Sequence, residues 1–304
     1  MENNKASMTA LVSAFGRAYH SLNDEPLIFN DYLARNLITD EEFAQISSHM
    51  ANGIHFFNPE HAGEFSDTVE ALRWVIQNQI APTPLARAAY CEEMLKNAVA
   101  LGVKQYIMLG AGMDTFSFRN PELLGEIDIF EIDHPATQEL KKDRIKMAGW
   151  EIPENLNFVP VDFRTDDFIH KILKVNFDKT RRSFYSWLGV TYYLSKEDIL
   201  NVLKSIVSIS AKGSALVFDY GDEHFFDKDK SSKRVQNTVA LGAATGESMK
   251  SCFSYRELEE TLEKAGLLIY EHLDPNEMEK RYFQNRTDYY HATENTNYVL
   301  AVVK

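Results

Sequence analysis

The chain has 304 residues, 44% of them apolar and 25% charged, proportions ordinary for a globular protein with room for one large α/β unit or a core with a helical addition. Its formal charge of −13 works against partners that need a basic surface, nucleic acid and anionic membranes among them. Two cysteines, Cys91 and Cys252, cannot build a disulfide framework, and no apolar run approaches the length of a membrane span. The start, Met1-Glu2-Asn3-Asn4-Lys5, lacks the basic-then-apolar layout of a signal peptide, so a cytoplasmic protein is expected.

From Ala6 to about Asp31, Leu11, Phe15, Ala18, Tyr19 and Leu22 recur at helical spacing. Residues 40–50 and 67–79 are expected to be helical as well, with no strand pattern between them. Residues 1–84 are therefore expected to form a helical cap, and residues 85–304 the main domain. Pro82 and Pro84 punctuate the entry to a helix over 85–101, with Arg87 in its first turn. A helix start is an electrostatically poor place for a structural arginine.

The first strand pattern, Tyr106 to Leu109, ends abruptly in Gly110-Ala111-Gly112. Glycine lets the backbone turn with φ > 0 and approach a ligand closely. The next strand, 127–133, ends in Asp133, about twenty residues past the glycines, where a carboxylate can bond ribose hydroxyls. A dinucleotide site wants a third glycine beside the pyrophosphate, and Met113-Asp114-Thr115-Phe116 stands there instead. A ligand with ribose and adenine but no phosphates fits better; S-adenosylmethionine is the common one.

A helix over 135–149 follows, then strands over 157–163 and 183–189. Ser195-Lys196-Glu197-Asp198 has the form of a helix N-terminus, and Ser214 to Tyr220 reads as the fifth strand. Residues 221–250, with several glycines and charges, are expected to be a mobile lid insertion, and the basic stretch from Lys228 to Arg234 within it a solvated loop. Ser254-Tyr255-Arg256-Glu257 opens another helix, and strands over 267–273 and 298–303 close the sheet as an antiparallel hairpin.

Leu109-Gly110-Ala111-Gly112-Met113-Asp114-Thr115-Phe116-Ser117-Phe118-Arg119 resembles the signature of the leucine carboxyl methyltransferase-like family. Phe130-Glu131-Ile132-Asp133-His134-Pro135, Val159-Pro160-Val161-Asp162-Phe163 and Ser186-Trp187-Leu188-Gly189-Val190-Thr191 resemble three further blocks, in order, and the version at Trp187 resembles a bacterial branch of S-adenosylmethionine-dependent O-methyltransferases. The resemblance implies a Rossmann-like class I methyltransferase fold, a seven-stranded, mostly parallel sheet with an antiparallel last strand and an N-terminal helical cap. It implies S-adenosyl-L-methionine as cofactor, held by Arg87 at the methionyl carboxylate and by Gly110, Ala111, Gly112, Asp133, His134, Asp162 and Phe163 around the adenosine. Asp162 would bind the adenine amino group and Phe163 would cover the ring. The implied activity is O-methyl transfer to a small-molecule carboxylate or hydroxyl.

One departure bears on the acceptor. The eukaryotic members carry an acid near the position of Leu188, and this chain does not. For Trp187 two readings stand: an aromatic face toward the sulfonium, contributing about 0.5–2 kcal/mol, or core filling. Tyr192, Tyr193, Asp219, Tyr220 and His224 are the polar side chains nearest the later strand ends, Tyr192, Tyr193 and Tyr220 being the candidates for a catalytic part. A carboxylate acceptor needs no base, whereas a hydroxyl usually wants one. His49, His55 and His61 lack metal-site spacing, and no metal is expected. Two other functions compete: a protein that binds S-adenosylmethionine without turnover, and a nucleotide-dependent oxidoreductase, which the missing third glycine opposes.

Overall fold

The computed structural model describes residues 7–65, 67–123, 125–163, 166–244 and 246–304. Ala6, the expected start of the first helix, lies outside them. A seven-stranded sheet in the order β3-β2-β1-β4-β5-β7-β6 forms the middle layer. Its strands are β1 (Gln105–Leu109), β2 (Asp128–Asp133), β3 (Leu156–Pro160), β4 (Ser183–Trp187), β5 (Ala215–Gly221), β6 (Leu267–Leu273) and β7 (Thr296–Val303). The pairs β3–β2, β2–β1, β1–β4 and β4–β5 are parallel; β7 runs antiparallel to both β5 and β6. All five residues of β1 and of β4 are buried, as a central strand covered on both faces requires. The chain reverses its direction of sheet growth between β1 and β4, which opens a crevice beyond their carboxyl ends.

The helices fall into two sets. Ahead of β1 come α1 (Met8–Asn23), α2 (Asp40–Asn52), α3 (Ile54–Phe57), α4 (Thr68–Trp74) and α5 (Pro82–Ala100). Between and after the strands come α6 (Phe116–Arg119), α7 (Pro135–Met147), α8 (Phe168–Ile172), α9 (Lys196–Ile209), α10 (Lys233–Ala244), α11 (Tyr255–Ala265) and α12 (Pro275–Met278). Side-chain caps set several starts: Thr39 with Glu42, Ser195 with Asp198 and Ser254 with Glu257 each exchange bonds with the opposite backbone N–H. A π-helical segment, Val75–Ile80, carries α4 into α5, so α5 starts at Pro82 and Arg87 stands in its second turn rather than its first. The segment 221–250 is no bare loop either, because it contains α10.

One hydrophobic cluster runs from Leu11, Phe15 and Ile76 in the cap helices through Leu85 and Tyr90 to Tyr106 and Met108 of β1, so cap and sheet share a core. A buried ionic knot joins them at the glycine turn. Asp31 pairs with Arg17 from α1 (Nε 2.8 Å) and Arg119 from α6 (Nε 3.2 Å), and Arg17 Nη2 donates to the Met113 carbonyl at 2.8 Å. Burial alone would raise the Asp31 pKa; the two guanidiniums outweigh it and hold the carboxyl below its ordinary range.

Candidate functional site

The glycine turn does what its residues require. Gly110 and Gly112 take φ of 81° and 50°, and an added Cβ would meet Val190 at 2.7 Å or Ala10 at 3.2 Å. Side chains at either position would fill the floor of the crevice. Asp133, at the tip of β2, accepts from the Gly112 N–H at 2.5 Å and from the His134 N–H at 2.6 Å. Burial raises its pKa, and those two amide donors oppose the shift without cancelling it. His134 caps α7, its Nδ1 accepting from Ala136 N–H at 3.3 Å, while its Nε2 lies 3.7 Å from the Asp162 carboxylate.

Around this turn lies a cavity of about 770 Å³ at the carboxyl ends of β1, β2 and β4. Gly110, Ala111, Gly112, Asp133, His134, Asp162 and Phe163 line it, and so does Arg87. Eight of the nine expected cofactor residues are thus brought together. A nucleoside-sized ligand fits these donors and acceptors: two glycines leave room against the backbone, and a carboxylate stands over them.

Trp187 is the exception. It is 1% exposed, lies in the core beside Phe218 (ring centroids 6.5 Å apart), and does not line the cavity. Its neighbours Ser186 and Leu188 face the cavity instead, because alternate residues of a strand point to opposite faces. The cation–π reading of Trp187 therefore fails, and the core reading holds. Tyr220 is likewise turned away: its hydroxyl meets His272 Nε2 at 2.9 Å and its ring packs against Phe253.

A second chamber of about 520 Å³ adjoins the first on the cap side, built by α1, α2, the π-helical segment, α5 and α10. The two share Thr9, Ser13, Pro84, Arg87, Gly189 and Tyr193, which form a waist between them. Gly189 takes φ of 69°, and a Cβ there would strike Arg87 Nη1 at 2.1 Å, so only glycine lets the guanidinium lie across this turn. Asp219, fully buried at the end of β5, holds the same point. Its Oδ1 accepts from Gly189 N–H at 2.6 Å and its Oδ2 from the Tyr192 hydroxyl at 3.1 Å, with Arg87 Nη1 at 3.7 Å. Arg87 also donates to Ser13 Oγ at 3.3 Å. Its partners are at the long end of contact, which leaves the guanidinium able to take up a ligand carboxylate.

Neither remaining tyrosine is suited to act as a base. Burial pushes the Tyr193 phenol up to about 12, with Glu247 adding to the shift, and burial together with Asp219 holds Tyr192 well above its usual range. Arg234, read from the sequence as part of a solvated loop, in fact opens α10 and lines the chamber. Arg234 Nε and Gln79 Oε1 are buried there without hydrogen-bond partners. Among the described residues no group of three or more His, Cys, Asp or Glu converges as a metal site, and no helix is long and apolar enough to cross a membrane.

The fold and the glycine-cradled cavity together define a class I methyltransferase, with six strands running one way and β7 against them. The family pattern described as leucine carboxyl methyltransferase matches residues 10–207. The chain belongs to that family and is an S-adenosylmethionine-dependent methyltransferase. It is 48% identical, over the full length of both chains, to the Bacillus subtilis (strain 168) protein named "Putative S-adenosyl-L-methionine-dependent methyltransferase YktD". A Mycolicibacterium paratuberculosis protein with the same description, without the final name, is 27% identical over 78% of this chain and 72% of its own. Among solved structures, a duf574 family protein from Streptomyces avermitilis aligns over 99% of both chains with a TM-score of 0.61 at 13% identity, which shows a shared fold. A methyltransferase-like structure from Thermobifida fusca aligns over 100% of this chain and 97% of its own, with a TM-score of 0.52 at 13% identity.

Proposed function

We propose that the chain transfers a methyl group to an oxygen, carboxylate or hydroxyl, of a small-molecule acceptor bound in the cap chamber. The observation that carries this reading is the waist, where a nucleoside-sized cavity opens onto a second, mostly apolar one. S-adenosylmethionine, when bound, supplies an activated methyl on a positively charged sulfur. In this reading Asp133 holds the ribose hydroxyls, the 110–112 turn admits the ligand close to the backbone, and Asp162 and Phe163 take the adenine. His134 stands beside that Asp162, and Arg87 receives the methionyl carboxylate. A ligand held by these residues would have its reactive end near Arg87, Gly189 and Tyr193 at the waist, where the chamber would bring an acceptor oxygen.

Alignment is the main contribution such a site makes to an in-line displacement, up to roughly 7–11 kcal/mol in well-oriented systems. The high phenol pKa values of Tyr192 and Tyr193 suit an acceptor that arrives ionised. The overall negative charge supports a small molecule rather than nucleic acid as partner, and the two unpaired cysteines support a cytoplasmic setting. Formation of S-adenosylhomocysteine would be measured with a panel of aliphatic and aromatic acids, alcohols and amines. Turnover with an oxygen acceptor, abolished by filling the chamber with Leu241→Trp, is expected. Turnover with amines alone, or a filled chamber that works as before, would overturn the proposal.

A further inference from the structure

The chain carries a formal charge of −13, yet none of the described residues lining the cap chamber is an aspartate or a glutamate. Two guanidiniums stand in its wall: Arg87 at the waist, which has Asp219 at 3.7 Å and is assigned above to the cofactor, and Arg234 from α10, which is left for the acceptor. Cations without lining carboxylates, in a cleft with low-dielectric walls, draw anions in.

Arg234 is the more telling of the two. Its side chain is 13% exposed. Nη1 donates to the Ala292 carbonyl at 3.2 Å, and Nη2 to the His291 carbonyl at 3.2 Å and Thr293 Oγ1 at 3.4 Å, all neutral acceptors. The carboxylate paired with it, Glu294, is half-exposed and 3.6 Å from Nη1. Nε has no partner, although buried N–H groups are almost always paired. The guanidinium is therefore held in place mainly by neutral acceptors, with Glu294 at the long end of ion-pair distance, Glu279 acting on it from further off, and Nε left free. Thr293 Oγ1 also accepts from Thr83 Oγ1 at 2.8 Å, and Thr83 lies one helical turn before Arg87 on the same face of α5. Arg234 thus sits along the same wall as the waist. Much of the remaining lining is apolar, with Val12, Ile46, Met50 and Leu241 among it.

We propose that the acceptor is a lipophilic organic anion, with its apolar body in the chamber and its anionic head against Arg234. This rests on the reading of the chamber as the acceptor site. A cationic amphiphile is excluded by like charge, and a neutral one forgoes the charge-assisted bond.

The test is calorimetric titration of the protein, loaded with S-adenosylhomocysteine, with decanoate, decanol and decylamine. Decanoate is expected to bind at least about ten-fold more tightly than decanol, decylamine not at all, and Arg234→Gln to remove the difference. The S-adenosylhomocysteine titration reports separately on the cofactor cavity: its loss would sink the functional reading, whereas intact cofactor binding with no preference for decanoate sinks only the anion proposal. Because Arg234 also anchors residues 291–293, the parent protein supplies a second readout. Decanoate affinity should fall with added salt more steeply than decanol affinity. Equal salt slopes, absence of decanoate binding, or an Arg234→Gln variant that melts like the parent and binds decanoate like the parent would each overturn it.

Discussion

The two cavities that meet at Arg87 are built by different means. The larger one is made of backbone: a glycine turn, two strand tips and a helix cap, fixed by the parallel sheet beneath them. The cap chamber is made of side chains from helices far apart in sequence, tied together by side-chain bonds such as those of Gln79, Thr83 and Arg234 rather than by a sheet. The first can be changed only by breaking the sheet's geometry, so it suits a ligand common to a whole class. The second can be re-lined residue by residue without touching the sheet, so it suits a ligand particular to one enzyme. Substitutions should therefore separate cleanly into those that affect fold, cofactor and acceptor.

The largest effect is expected where the cap is tied to the glycine turn. Asp31→Ala leaves Arg17 and Arg119 buried together without their shared carboxylate, and breaking such an arrangement costs about 3–5 kcal/mol. Urea unfolding would measure it. Because the folded-state pKa of Asp31 is depressed, the knot contributes in full above the unfolded carboxylate value of about 3.9. That contribution is lost as pH falls from there through the folded value. A knot whose contribution faded between pH 5 and 7 would contradict this assignment.

Next come the cofactor contacts. Asp133→Ala and Arg87→Ala should each weaken S-adenosylmethionine binding by about 1.5–3 kcal/mol, one to two decades in Kd, with Asp133→Ala also lowering the melting temperature because the Gly112 and His134 N–H groups lose their acceptor. Burial raises the Asp133 pKa, so parent affinity should decline on acidification at a higher pH than an ordinary carboxylate would give, and the Ala variant should lack that decline. Gly189→Ala should cost somewhat less, about ten-fold in Kd, since it strains a φ of 69° and pushes Arg87 aside. An unchanged Kd would mean that Arg87 does not act from this position. The smallest effect belongs to the chamber. Ile46→Gln should leave S-adenosylhomocysteine affinity within about two-fold and stability within about 1 kcal/mol, while changing which acceptors are turned over.

The same division explains what could be read from the sequence. The glycine turn, Asp133 and the run of strands were legible because each is a local pattern with one physical solution. The strand ends were less so: Asp162 and Phe163 lie beyond β3, which stops at Pro160, although both still reach the cavity. Trp187 could not be placed from sequence because every residue of β4 is buried, so neither face is marked by polarity and the alternation that sends Ser186 to the cavity and Trp187 to the core is silent. The segment 221–250 read as a loop because its helix, α10, is short and charged at its start. A substrate pocket in the helical cap and the 221–250 segment could be expected from the fold, but its lining could not be named, since its residues come from α1, α2, the π-helical turn, α5 and α10 and no spacing links them. Asp219 stood out only as a polar residue at a strand end; its bonds to Gly189 and Tyr192 appear once β4 and β5 are paired.

Asp133 and Arg87 organise a cofactor cavity beside a separate acceptor chamber. The most direct measurement is calorimetric titration with S-adenosylhomocysteine of the parent, Asp133→Ala, Arg87→Ala and Ile46→Gln proteins, with NADH as control. Binding by the parent and Ile46→Gln, a loss of about one to two decades in the other two, and no response to NADH are predicted. Parent-like affinity in both Asp133→Ala and Arg87→Ala, or NADH binding in place of the adenosyl ligand, would contradict it.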